Sequence, residues 1–233
     1  VVSQSSVLRT VVALAGGLGL VVALALTVAV SWIVAVPVGL LVSVVASRLL
    51  VADAVSVVVK SIGAEPLSEG AEPRLESLVE SICASNGIPE PELMVLDAPG
   101  LDAALLAKGS QLVVIVTRGL LAELDRLELE AVVARELTTD RSLAEGATLR
   151  SALATRFGPL VGRISVATGD RVRADIAGVA TTRYPPALAS ALEKASRGPR
   201  VTTASSHEHL WMVGDGESDG FSLTDRVDVL AEL

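Results

Sequence analysis

Imidazole and thiol groups are scarce in this chain: two histidines and one cysteine. The two histidines, His207 and His209, stand as His-Glu-His in a stretch rich in Gly, Ser and Asp. A catalytic zinc site takes three protein ligands around an open position, so two histidines with no cysteine beside them read as solvated or hydrogen-bonded loop residues. Cys83 is alone in an apolar helical pattern, which excludes a disulfide framework and a Cys-based metal site and suits a reducing compartment. As a lone thiol it reads as a small buried hydrophobe. The run Arg135-Glu136-Leu137-Thr138-Thr139-Asp140 sets a carboxylate beside hydroxyls, but both histidines lie far along the chain and no nucleophilic triad spacing can be argued. A net charge of -8 without any basic run disfavours a nucleic-acid partner, because phosphate binding depends on clustered Lys and Arg.

The elements that must position these residues begin with an anchor. No charged residue occurs between Arg9 and Arg48, and about 20 apolar residues in a helix cross a bilayer core. The stretch therefore reads as a transmembrane helical hairpin, with spans over about residues 11–30 and 33–47 and a turn at Ser31-Trp32, where Trp32 suits the interface. Pro37 kinks the second span. Ala15, Gly16, Gly17, Gly19 and Gly39 let the two helices approach closely. A cleaved signal peptide is the rival reading, but the apolar run exceeds a signal core and a second run follows it. Arg9, Arg48 and Lys60 flank the spans, and the positive-inside rule puts them, with the domain that follows, in the cytoplasm. The expectation is an integral protein of the cell membrane: residues 1–62 form hairpin and stalk, and residues 63–233 one soluble domain. The chain opens on Val in place of Met, which reads as a fragment of a longer chain.

Within the soluble part, Pro73 opens a helix carrying Leu75, Leu78, Val79, Ile82 and Cys83 at helical spacing, closed by Asn86-Gly87. Residues 93–96 and 112–116 read as paired strands, with an irregular segment between them over 97–110. Thr117 caps a short helix, and Asp125 with Glu128 forms a capping box for a helix over about 127–145. The stretch 146–168 is amphipathic but carries Arg150, Arg156 and Arg163, unlike a further span. Helices follow over about 171–182, 186–195 and 224–233, with a long loop at 197–223.

In order and spacing these segments resemble the HtpX-like membrane zinc metallopeptidases, a family that includes the CAAX prenyl proteases. The resemblance covers nearly the whole chain. It runs from the hairpin through Gly87-Ile88-Pro89-Glu90-Pro91, a strand ending at Asp97, and Asp102-Ala103, which is similar to the family's Asn-Ala before its edge strand. It continues through Val114-Ile115-Val116-Thr117-Arg118-Gly119-Leu120-Leu121 and Leu129-Glu130-Ala131-Val132-Val133-Ala134, the phrase that leads into HExxH. Ala174-Asp175, the run from Thr182 through Arg183-Tyr184-Pro185-Pro186-Ala187 to Leu188, and Asp225-Arg226-Val227 complete it.

The resemblance implies an α+β, zincin-like domain in which a metal-motif helix packs beside a small sheet. Its edge strand, placed at residues 111–116 with Val113, Val114 and Ile115, would take substrate by β-augmentation. It also implies what is missing. HExxH needs two imidazoles at i and i+4 with Glu as general base; here Arg135 and Thr139 occupy the histidine positions and only Glu136, the general-base position, remains. The third ligand, a Glu four residues before the retained Asp175, is replaced by Arg171. Asp170 is adjacent, but one residue turns a helical side chain by about 100 degrees. A guanidinium has no lone pair for a metal. The expectation is thus a degenerate site with no metal and no cofactor, in which Arg135 and Arg171 supply positive charge to Glu136 and Asp175. The function expected is a pseudoprotease that binds protein or peptide segments of membrane-associated proteins. Two alternatives stay open: a zinc peptidase using Asp140, Asp175, His207 or His209, and a structural subunit of a membrane complex.

Overall fold

Two runs of the sequence are apolar at nearly every residue, Ala-Ala-Leu-Leu-Ala and Leu-Val-Val-Ile-Val, and both become strands covered on two faces. A computed structural model describes residues 2–29, 32–158, 170–204, 206–214 and 222–233. Its helices are α1 (Val2–Ala29), α2 (Trp32–Ala52), α3 (Ala54–Ile62), α4 (Pro73–Asn86), α5 (Arg118–Glu123), α6 (Arg126–Thr138), α7 (Arg141–Phe157), α8 (Asp170–Thr182), α9 (Pro185–Arg197) and α10 (Leu223–Ala231). The strands are β1 (Glu65–Pro66), β2 (Glu92–Leu96), β3 (Ala103–Lys108) and β4 (Gln111–Thr117), in the sheet order β1-β2-β4-β3. Helices and one small sheet thus make the α+β architecture expected.

β4 pairs in parallel with β2 and antiparallel with β3 across a two-residue hairpin turn, where Gly109 takes a φ of 54°. This corrects two expectations. Residues 103–108 are a strand rather than irregular chain, and β4 is central, so Val113, Val114 and Ile115 lie inside the sheet, whose two edges are β3 and the short β1. Ala-rich sequence carries little β propensity, and burial from both sides supplies what propensity does not. Ala103, Leu105, Ala107, Leu112, Val114 and Val116 face α4, α6 and α9. Ala104, Leu106, Val113 and Ile115 face α3 and α7 in a second cluster with Val55, Val58, Leu149, Leu153 and Trp211. A sheet buried on both faces reads as continuous hydrophobic runs instead of alternation.

The segment leaving the apolar region is therefore packed onto the sheet, through Ala54, Val55 and Val58 of α3, rather than standing free as a stalk. In the hairpin, Gly19 and Gly39 meet as expected: a Cβ on Gly19 would lie 2.5 Å from the Gly39 carbonyl oxygen, and one on Gly39 would lie 2.7 Å from that of Gly19. Gly16 and Gly17 instead face open space. Leu14, Leu18, Val21 and Leu24 of α1, with Val36, Leu40, Leu41 and Val44 of α2, stay exposed. Among the described residues no single helix is long and apolar enough to cross a membrane; Val11–Leu24 is a shorter apolar helix, and Val34–Leu49 with Ala54–Ile62 form an apolar pair bent by 42°. Ser31 of the expected turn, the Trp32 side chain and Arg163 lie outside the described residues.

The helix expected over 127–145 stops at Thr138. Thr138 and Thr139 donate their hydroxyls to the carbonyls of Ala134 and Arg135 at 2.7 and 2.9 Å. Asp140 then caps α7 by accepting from the Ser142 amide at 2.8 Å. Side chains that bond local backbone compete with helix continuation, and an Asp that caps a new helix ends the old one.

Candidate functional site

The start of α6 is fixed by the reciprocal cap expected from sequence. The Asp125 carboxylate accepts from the Glu128 amide at 2.9 Å, while Glu128 accepts from the Asp125 amide at 2.8 Å. Glu128 also accepts from Ser190 and Lys194 of α9, each at 2.6 Å, which joins α9 to the first turn of α6. Two turns on, α8 crosses α6 so closely that a Cβ on Gly178 would lie 2.6 Å from Cα of Arg135. Only a glycine permits that approach, and it brings Asp175, one turn earlier on α8, against the Arg135 side chain.

Arg135 Nε donates to Asp175 Oδ1 at 3.1 Å, and its Nη1 is ion-paired with Glu136. Arg226 of α10 grips the same Asp175 with two bonds, Nε to Oδ2 at 2.7 Å and Nη2 to Oδ1 at 2.8 Å. Its Nη1 donates to the Met212 carbonyl at 2.9 Å. Glu136, Asp175 and Arg226 are 1–2% exposed and Arg135 is 5% exposed. Buried charges persist when paired and hydrogen-bonded. Burial pushes the Glu136 carboxyl above its ordinary value against the pull of Arg135. At Asp175 burial acts upward too, but Arg226 and Arg135 reverse it and hold the carboxyl below its usual range. Burial also works against the Arg135 charge, and Glu136 and Asp175 more than offset it.

Arg135 and Glu136 of the cluster line a small open cavity whose polar wall also holds Thr139, Arg171 and His209, with Leu105, Leu143, Ala174, Leu210 and Trp211 among the apolar lining. The three expected ligand positions and Glu136 thus share one cavity. Arg171 donates to the Glu208 carbonyl at 3.4 Å. The second guanidinium on Asp175 is Arg226, where Arg171 was expected. Arg226 had a readable signal: a lone cation on the face of a capped helix that also carries Leu223 and Leu230, both buried. Asp140 is spent as the cap of α7, and of the Asp170 side chain nothing is described.

His207 is buried and His209 half-buried, and both are hydrogen-bonded, one of the two states expected of them. His209 Nε2 lies 3.1 Å from the Ala147 carbonyl, which can only accept, so that nitrogen carries the proton. Burial, with Arg150 nearby, lowers the His209 pKa to about 4. His207 Nε2 is 2.9 Å from Ser61 Oγ, and its Nδ1 has no hydrogen-bond partner. Among the described residues no three His, Cys, Asp or Glu side chains are grouped to hold a metal. The polar set at the cavity, two guanidinium groups, a threonine hydroxyl and one imidazole around one carboxylate, falls short of the three ligands a catalytic zinc takes.

No protein-family model matches the chain. It is similar to a protein named Protease HtpX homolog from Tropheryma whipplei (strain Twist), with 30% identity over 192 residues that cover 64% of this chain and 66% of that protein. Proteins of the same name from Dictyoglomus thermophilum, 45% identical over 67 residues (28% of this chain, 22% of that protein), and Dictyoglomus turgidum, 28% identical over 165 residues (54% of each), are also similar. The chain spans about two thirds of the length of the first of these relatives.

Proposed function

This chain belongs to the HtpX-like family, and we propose that within it the chain is a membrane-anchored pseudoprotease, binding extended segments of membrane-associated proteins without cleaving them. The observation that carries this reading is Arg135. Its guanidinium lies between Glu136 and Asp175 at the wall of the cavity that also holds Thr139 and Arg171, so a fixed internal cation stands where the family's motif would bring a metal. A guanidinium neutralises carboxylates but neither polarises a carbonyl as a Lewis acid nor yields a bound hydroxide. Glu136, engaged by Arg135, is then a structural carboxylate rather than a general base.

The membrane part of the proposal rests on the apolar outward faces of α1 and α2, whose packing through Gly19 and Gly39 suits lipid. In this reading the domain from residue 63 onward has a zincin-like fold and sits on the cytoplasmic side, beside Arg48 and Lys60. An alternative, a zinc peptidase with unexpected ligands, draws support from His209 at the cavity wall, although His207 is engaged with Ser61 instead.

Elemental analysis of the purified full chain, with casein turnover measured in parallel, separates the two. The pseudoprotease reading expects substoichiometric zinc and no cleavage. Stoichiometric zinc lost together with cleavage in His209→Ala would overturn it. Arg135→His, Thr139→His and Arg171→Glu combined should restore stoichiometric zinc, because all three positions line one cavity; a folded triple variant without zinc would refute the ligand alignment.

A further inference from the structure

β3 is one edge of the sheet, and an edge strand offers unpaired N–H and C=O groups to any extended chain that meets it. The Ala103 carbonyl accepts from the Met212 amide at 2.8 Å, and the Ala107 amide donates to Thr148 Oγ1 of α7 at 3.1 Å. Alternate residues of a strand turn their backbone groups to the same side. Ala103, Leu105 and Ala107 therefore present the edge, and Leu105, on the cavity wall, is the outward step between two occupied ones.

The occupant is the chain itself. Residues 210–213 run antiparallel to β3, with Trp211 bridged to Ala104. Their far end is held by the Asp102 carboxylate, which accepts from the Val213 amide at 3.0 Å and the Gly214 amide at 3.3 Å. Arg226 holds the Met212 carbonyl, and Trp211 Nε1 donates to Thr203 Oγ1 at 3.1 Å. The pairing is a single isolated bridge instead of a ladder, so side-chain anchors and burial do most of the holding.

We propose that residues 210–213 are an internal strap that occupies the polypeptide-binding edge of β3, and that a partner's extended segment docks antiparallel to Ala103–Leu105 by displacing it. This rests on the peptide-binding reading above and adds its regulation: the same Arg226 that grips Asp175 in the cation cluster grips the strap, so the cluster braces the closed state.

The test is a reversible lock. Ala104→Cys with Trp211→Cys, in a Cys83→Ala background, sets a cysteine pair across the bridge; the full chain in nanodiscs is assayed for binding of fluorescein-labelled β-casein, oxidised and reduced. Both states carry the same substitutions, so loss of the indole cancels. Binding by the reduced form should exceed that of the oxidised form by about tenfold, the ratio expected when a lock removes the competent state. Equal binding in both states overturns the strap while leaving the peptide-binding reading intact. A pair that fails to oxidise, judged by mass, puts the bridge elsewhere and overturns it as well. Casein binding absent from the unmodified chain and from both forms of the variant refutes the peptide-binding reading, and the strap with it.

Discussion

Replacing Arg135 with Met keeps much of the side-chain volume and removes the charge that Glu136 and Asp175 share. Asp175 retains both bonds from Arg226, at 2.7 and 2.8 Å, so the loss concentrates on Glu136. That carboxylate, 2% exposed, would lose its ion pair with Arg135. Breaking a buried pair by removing one partner costs about 3–5 kcal/mol. Protonation of Glu136 sets a ceiling on its share: holding the carboxyl neutral at pH 7, against an ordinary value of 4.5, costs roughly 1.4 kcal/mol for each of 2.5 units, or about 3 kcal/mol. The folded state of the variant then keeps a proton that the unfolded state releases. Stability therefore falls as pH rises above 4.5 and returns as pH falls toward it, by about 1.4 kcal/mol per unit. Urea unfolding in mild detergent at pH 5, 6 and 7 should show Arg135→Met losing about 3 kcal/mol at pH 7 and much less at pH 5. Adding Glu136→Gln should remove the pH dependence and recover much of the loss. A loss under about 1 kcal/mol, or one equal at all three pH values, would refute the reasoning, because neither fits a buried carboxylate deprived of its cation.

Gly178→Ala forces α6 and α8 apart, since the new Cβ meets the Arg135 Cα, Cβ and N at 2.6–2.9 Å. A loss of about 1–3 kcal/mol in thermal or urea unfolding is expected, while Gly16→Ala, with nothing within 4 Å, should be silent. His209 stays neutral in the fold, with its pKa lowered to about 4 from 6.5. The unfolded chain binds that proton first, so stability is present above pH 6.5 and declines as pH falls toward 4, by about 3 kcal/mol in all. His209→Gln, which keeps a donor for the Ala147 carbonyl, should flatten that decline in acid-unfolding curves; an unchanged curve would place the acid sensitivity elsewhere.

Much of the site's framework was legible because its signals are local. Asp125 and Glu128 lie three residues apart and satisfy each other wherever the helix docks. Asn86-Gly87 ends α4, with Gly87 at a φ of 63° and its amide on the Cys83 carbonyl. Thr117 caps α5 through the Leu120 amide at 3.3 Å. That Arg135 and Arg171 offer a metal no lone pair was also readable, since what a guanidinium can donate does not depend on the fold around it.

What pairs with what was decided only by the tertiary structure. Strand order depends on contacts between residues far apart in sequence, and an Ala-rich strand gives no periodic signal until two helical layers cover it. The apolar pattern of residues 111–117 fitted an edge as well as a centre; pairing with β2 along one side and β3 along the other put them in the middle. Arg226, 51 residues from Asp175, entered the cluster because α10 docks beside α8, and His207 became interior beside Ser61 of α3, 146 residues away in sequence. Sequence set which charges and caps this chain carries; the folded neighbourhood set which of those charges meet, because a buried charge is stable only where the fold brings its partner.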